Sequence, residues 1–191
     1  MARVLGRLRS AFDAVRPLPE EVTASRPGDD LIPAPQLVMD RAFTLEGSLE
    51  AVWPWLVQLG KNRSGWYLPR GIERLIPRRR RALRAVDPKL QHLAVGDVIP
   101  DWGGRSATFE VAELRAPLTL VYRSRRGQTN LSWAINLESP SPAATRVHLR
   151  LRMTPVKRQW LVRSAGELVD LSTVAGLAAG LRERLATAIR G

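Results

Sequence analysis

The chain contains no cysteine, so disulfides and thiolate chemistry are excluded. It has two histidines, too few for the common zinc ligand sets, and no metal is expected. No apolar run approaches the roughly 20 residues that a bilayer span needs. The N-terminus carries arginines but lacks a continuous apolar core and a small-residue cleavage site, which argues against a signal peptide. A cytoplasmic location is the resulting expectation. Gly103-Gly104 lacks the spacing of a phosphate-binding loop, so no nucleotide cofactor is expected. Without cysteine or a positioned histidine, nucleophilic triads have no support.

Acidic residues are scarce relative to basic ones: 18 Asp and Glu against 30 Lys and Arg, a net charge of +12. The excess is concentrated. Residues 61–84 hold Lys61, Arg63, Arg70, Arg74, Arg78, Arg79, Arg80, Arg81 and Arg84 against Glu73 alone, a net +8. Residues 1–36 balance, with five arginines against five acids. A patch centred on Arg78–Arg81 can attract the phosphates of nucleic acid or of anionic lipid. In so arginine-rich a chain, the same run also reads as a solvated loop.

What is present suffices for one domain with an N-terminal extension. Of 191 residues, 45% are apolar, enough for a full core. In residues 2–16, Val4, Leu5, Leu8, Ala11, Phe12 and Val15 recur at helical spacing. This short amphipathic helix is expected to dock on its own domain, with a partner or a membrane surface as alternatives. Pro17, Pro19, Pro27, Pro33 and Pro35 mark residues 17–36 as an extended linker. The division is therefore 1–36, an amphipathic helix and proline-rich extension, and 37–191, the folded domain.

Residues 37–45 read as a first strand. Ser48 is a good N-cap for a helix over 49–59, which Gly60 ends. Trp53 and Trp55 lie about 200° apart on that helix, so it carries large apolar groups on both sides and is expected to be sandwiched. Pro54 removes one helical hydrogen bond. A weaker helix is expected over Leu68–Ile76. Alternating stretches follow near Val95–Ile99, Ala107–Leu114, Leu118–Arg123, Leu131–Glu138 and Arg146–Met153. Leu131, Trp133, Ile135 and Leu137 share one face, as do Val147, Leu149, Leu151 and Met153. The opposite face of the last strand, with Arg146, His148, Arg150 and Arg152, is expected to be wet. A long helix closes the chain, at about 167–190, with Val174, Leu177, Leu181, Leu185 and Ile189 as its stripe. Its small residues, Ala175-Gly176-Leu177-Ala178-Ala179-Gly180, either allow close backbone approach or leave room above the sheet.

This order predicts an α+β fold: a curved antiparallel sheet wrapped around a long C-terminal helix, with two short helices after the first strand. The chain resembles the START-like helix-grip proteins, the SRPBCC superfamily that includes polyketide cyclase/dehydrase-like and lipid-transfer-like members. Within that group it is most similar to the uncharacterised bacterial members. The resemblance covers about residues 26–190. It rests on Pro27-Gly28-Asp29-Asp30, on Val52-Trp53-Pro54-Trp55-Leu56-Val57-Gln58-Leu59-Gly60 and on Arg63-Ser64-Gly65-Trp66-Tyr67. Leu90–Asp97, Leu131-Ser132-Trp133 and Thr145-Arg146-Val147 extend it. The chain departs from the pattern at Leu68-Pro69-Arg70-Gly71 and the arginine block, where a polar, aromatic second helix is expected.

The resemblance implies an internal pocket between sheet and terminal helix that takes hydrophobic or amphipathic small molecules such as lipids, polyketides, sterol-like compounds or isoprenoids. Trp66, Tyr67, Phe109, Tyr122, Trp133, Leu151 and Met153 are the expected lining, because aromatic groups combine apolar area with polar tips that orient a ligand. The same residues could instead simply pack the core. A cyclase or aromatase would need acid/base groups near a bound polyketone, and Asp101, Arg63, Arg70, Arg41 and Asn130 are the candidates. None forms a recognisable constellation, so no catalytic residue is assigned. Asp101, beside two glycines, reads as a turn aspartate, and His92 as a surface residue. Binding is favoured over catalysis. Transient contact of the arginine block with an anionic membrane is compatible with lipid extraction. Nucleic-acid binding is disfavoured, because the arginines are not interleaved with aromatic residues.

Overall fold

The structure, a computed structural model, describes residues 2–156 and 166–188. Two helices come first, α1 (Ala2–Asp13) and α2 (Pro19–Thr23), followed by strand β1 (Leu37–Glu46). Helix α3 (Leu49–Val57) and the single-turn α4 (Arg70–Glu73) follow. Five strands then form a meander: β2 (Val98–Pro100), β3 (Thr108–Arg115), β4 (Thr119–Arg126), β5 (Thr129–Ser141) and β6 (Ala144–Thr154). The terminal helix α5 runs over Glu167–Ala188. Ile189 lies outside the described residues, as do the side chains of Val4, Leu5 and Leu8.

All six strands join one antiparallel sheet in the order β1-β6-β5-β4-β3-β2. Register decides which side chains share a face, because directly opposed residues project together. Leu37, Met39, Phe43 and Leu45 of β1 join Val147, Leu149, Leu151 and Met153 of β6. Trp133 and Ile135 of β5 oppose Leu151 and Leu149 on one side and Tyr122 and Leu120 on the other. Helix α5 covers this face, burying Val174, Leu177, Leu181 and Leu185. The bulge between Val111 and Glu113 shifts the register of β3 against β4 and strengthens the local twist.

Ser48 caps α3 as expected, its hydroxyl accepting from the Ala51 amide. The helix is packed on both sides. Trp55 is buried and meets the Tyr67 ring edge-on at 5.7 Å, while Trp53 is partly buried against the core. Gly176 and Gly180 settle the question of the small residues in α5. A Cβ on Gly180 would stand 2.7 Å from backbone atoms of Tyr67 and Leu68, and one on Gly176 would stand 2.7 Å from Leu68 Cδ2. Close approach is their role, and the segment after Trp66 occupies the space they leave. That segment is mostly irregular. The helix expected over Leu68–Ile76 is only the turn α4, since Pro69 and Pro77 bound it and Gly71 weakens it.

The second face of the sheet is covered. His148 and Arg150, expected in solvent, are 2% and 3% exposed. Their cover comes from residues 17–36, expected to be an extended linker. Val15 is fully buried, and its carbonyl accepts from the Ala42 amide of β1. Gly28, at φ +89°, lies so close to Val121 and Ala134 that any side chain would collide with Val121. Arg150 binds Asp40 at 2.7 Å and Asp29 at 2.8 Å, and donates to the carbonyls of Glu21, Val22 and Ala24. Arg146 makes a two-pronged pair with Glu21, both contacts at 2.7 Å. Arg152 bridges Asp29 and the Ile32 carbonyl. The alternation of β6 is real, but its polar half satisfies the backbone and acids of this strap instead of water.

Candidate functional site

The inner face of the sheet is not filled to its end. A cavity of about 590 Å³ lies between the sheet and the first turns of α5. Its walls include Met39 of β1, Leu131 and Trp133 of β5, Leu151 and Met153 of β6, and Val169, Asp170, Thr173 and Val174 of α5. The side toward β2 and β3 is formed by Trp66, Ile99, Phe109 and the loop Pro100–Gly103. Trp102 and Val169 are both lining and more than half exposed, so they mark the mouth.

Five of the seven residues expected to line a pocket are in its wall: Trp66, Phe109, Trp133, Leu151 and Met153. The other two lie in the protein interior. Tyr122 sits behind Trp133, its ring stacked on the indole at 5.7 Å and packed against Phe109 at 5.6 Å. Its hydroxyl is buried with no hydrogen-bond partner among the described residues, and burial pushes its pKa above the usual phenol value. Tyr67 is fully buried and bound on all sides. Its hydroxyl donates to the Trp55 carbonyl at 2.9 Å, accepts from Gln58 Nε2 at 2.9 Å and contacts Ser64 Oγ at 2.7 Å. Burial raises its pKa too, against the opposing hydrogen bonds from Ser64 and Gln58.

Trp66 is fixed by its own polar tip. Its Nε1 donates to the Thr173 carbonyl of α5 at 3.1 Å, and its ring lies roughly parallel to Trp133 at 6.2 Å. Trp102 meets the Trp66 ring edge-on at 6.0 Å. The Trp102–Trp66–Trp133–Tyr122 series thus runs from the mouth to the core.

Two ion pairs interrupt the apolar wall. Asp101 pairs with Arg126 at the mouth, and both side chains line the cavity. Asp101 also accepts from the Gly103 amide at 3.1 Å, as a turn aspartate does, while its carbonyl accepts from Lys61 Nζ at 2.9 Å. Sequence spacing could not reveal Arg126, because its partner is 25 residues away on another element. Asp170 lines the opposite wall, with Arg41 Nε 2.9 Å behind it. Burial raises the pKa of Asp170, Arg41 lowers it, Glu167 raises it again, and the net direction is upward. Of the remaining polar candidates, Arg63 donates to the carbonyls of Val57 and Leu90, and Arg70 and Asn130 are exposed. His148 lies on the other face of the sheet, 3.1 Å from Asp40.

The arginine block is outside the cavity. Arg78–Arg80 form an exposed 3-10 turn, and Arg81 folds back onto the carbonyls of Ile76 and Arg74. Glu73 is turned inward. Burial raises its pKa, but hydrogen bonds from Arg184 at 2.6 Å and Arg84 at 2.8 Å outweigh that and hold it below the usual carboxylate value. Among the described residues no cluster of three or more His, Asp or Glu side chains could hold a metal, and no helix is long and apolar enough to cross a membrane.

No family model matches the chain, and no curated protein matches it. Its likeness is to solved structures. The crystal structure of DynU16, described as a protein of the dynemicin biosynthetic locus, superposes at a TM-score of 0.50 with 13% identity. It aligns over 81% of this chain and 49% of that one, so this chain spans about half of its length. The chain has the helix-grip fold. The chain is also similar to the crystal structure of protein MLL2253 from Mesorhizobium loti, with 17% identity and a TM-score of 0.48 over 79% of this chain and 98% of that one. A norcoclaurine synthase from Thalictrum flavum, a point mutant in complex with a transition-state analogue, matches at 11% identity and a TM-score of 0.48, over 80% and 96%.

Proposed function

We propose that this helix-grip chain binds an apolar or amphipathic small molecule in the cavity between its sheet and terminal helix. The observation that carries the reading is a 590 Å³ hollow with an apolar, aromatic wall, continuous with the buried hydrophobic core. A volume of this size falls within the range of ligand pockets. The aromatic series anchors a flat or extended body, and the open mouth gives it a route in. Native mass spectrometry on protein purified from its own host, before and after organic extraction, tests this. An apolar adduct that extraction removes supports the reading. Absence of an adduct, together with no saturable uptake of the neutral probe N-phenyl-1-naphthylamine, overturns it.

A second reading concerns the basic segment, which carries apolar groups at its tip. Leu75 is 86% exposed and Ile72 48%, both beside Arg70, Arg74 and Arg78–Arg80. Exposed aliphatic groups amid arginines suit an anionic membrane surface better than nucleic acid, since each cation contributes about 1 kcal/mol near such a surface and the aliphatic side chains can enter the interface. Co-sedimentation with phosphatidylserine vesicles, reduced by Leu75→Asp, is expected. Equal sedimentation with phosphatidylcholine vesicles would refute it. The cyclase-type alternative is favoured by one feature only, Asp170, a wall carboxyl with a raised pKa that could exchange a proton with a bound ketone. Turnover of a polyketone that survives Asp170→Asn would remove that support.

A further inference from the structure

The polar groups at the cavity mouth form a built arrangement. Arg126 closes β4 and turns its guanidinium back across the ring of Phe109, with Cζ 5.3 Å from the ring centre. A Cβ on Gly103 would stand 2.1 Å from Arg126 Nη1, so the Trp102-Gly103-Gly104 turn lies close over the guanidinium, and a side chain there would displace that tip. Asp101 binds Arg126 Nη2, while Arg126 Nε is buried with no hydrogen-bond partner among the described residues. A guanidinium offers five donors in a planar fork, and this one has donors left over. Lys61 donates to the Asp101 backbone carbonyl at 2.9 Å and so holds the turn, while the Asp101 carboxylate pairs with Arg126. The opposite wall carries Asp170 neutralised by Arg41.

We propose that Arg126 receives the anionic end of the cavity's ligand, with Asp101 as the internal carboxylate that occupies it in the empty protein. The inference rests on the cavity reading and names the ligand class: an amphipathic acid whose carboxylate, or comparable oxyanion, stays at the mouth while its apolar body lies along Trp66, Trp133, Leu151 and Met153. A carboxylate matches the fork of an arginine in a two-pronged contact that an alcohol or ammonium cannot make. Phe109 and the glycine turn keep the fork oriented and leave the Arg126 side chain 30% exposed, so a ligand can reach it while part of the surrounding water is displaced.

The test compares dodecanoate, dodecanol and dodecyltrimethylammonium as competitors of N-phenyl-1-naphthylamine, all below their micellar concentrations. In the natural protein dodecanoate is expected to displace the probe at about tenfold lower concentration than dodecanol, and the ammonium to be the weakest. This ratio corresponds to one charge-assisted hydrogen-bonded contact. Arg126→Gln should erase the difference between acid and alcohol, read as the ratio of the two displacement concentrations within that variant. Arg126→Lys should keep part of it, and both variants should melt within a few degrees of the natural protein. The inference is overturned if Arg126→Gln leaves the ratio intact or if the ammonium binds best. It also fails if the preference disappears in a variant with Arg78–Arg81 changed to serine, since the surface patch would then be the source. Failure of the probe itself to bind the natural protein is a different result, and it overturns the cavity reading beneath this inference.

Discussion

Arg150→Met isolates the contribution of the N-terminal strap. The change keeps much of the side-chain volume and removes the charge and every donor. Arg150 is 3% exposed and bonds five groups: the carboxylates of Asp40 and Asp29, and the carbonyls of Glu21, Val22 and Ala24 at the end of α2. Removing one partner of a buried ion pair costs about 3–5 kcal/mol, because the other charge is left uncompensated. Here Asp40 keeps His148 at 3.1 Å and Asp29 keeps Arg152 at 2.9 Å, so the lower half of that range applies. For a chain of this size each kcal/mol lowers Tm by about 2–4 °C, which gives a fall of about 6–16 °C. The strap should open before the sheet does. Limited proteolysis is therefore expected to cut within residues 17–36 of the variant, with slower cleavage of the sheet. Adding Asp40→Leu should recover part of the loss, since an apolar pair of similar volume needs no counter-charge. A variant that melts within 2 °C of the natural protein, with residues 17–36 equally protected, would refute the account of the strap.

Three further outcomes are expected. Leu151→Phe should cost little stability and weaken uptake of N-phenyl-1-naphthylamine several-fold, because the ring enters the cavity; Leu149→Phe, aimed into packed core, should cost about 1–3 kcal/mol by chemical denaturation. Gly180→Ala should be destabilising by about 1–3 kcal/mol, since its methyl meets backbone at 2.7 Å and not a movable side chain. The third concerns pH. Asp40, Glu21 and Glu73 all have folded pKa values below their ordinary 3.8 or 4.5, so their contribution is complete above those values and is lost as pH falls through the depressed ones. Tm should be nearly flat from pH 7 to 5 and drop below about pH 4, with a shallower drop in Glu73→Gln.

The sheet and its terminal helix were legible because each strand repeats with period two and the final helix with its own stripe, signals that one sequence carries on its own. Ser48 started α3 through local chemistry, but the helix ends at Val57 with Gln58 as its cap, three residues before Gly60, which was expected to end it. The strap was not legible. Its prolines announce an extended segment, but nothing local says that Glu21 and Asp29 meet arginines more than a hundred residues later. His148 was misplaced for the same reason, as a polar residue on the polar phase of a strand with an unseen cover. At the site, the aromatic residues were visible as candidates. Sequence gave no depth, so Tyr67 and Tyr122 were indistinguishable from Trp66 and Trp133. Arg126 carried no motif, and only the fold of the Gly103 turn reveals it.

The two ends of α5 are unequally restrained. Toward its C-terminus, Gly180 rests on backbone and Arg184 is bound to Glu73 and to the carbonyls of Leu68, Gly180 and Leu83. Toward its N-terminus, it spans the hollow and is tied across it by Asp170 to Arg41 and by Trp66 to the Thr173 carbonyl. The helix is thus a beam clamped at one end and lightly pinned at the other. Enlarging the chamber for a bulkier occupant requires bending only the pinned span, and the clamped half with its buried arginine can keep its place.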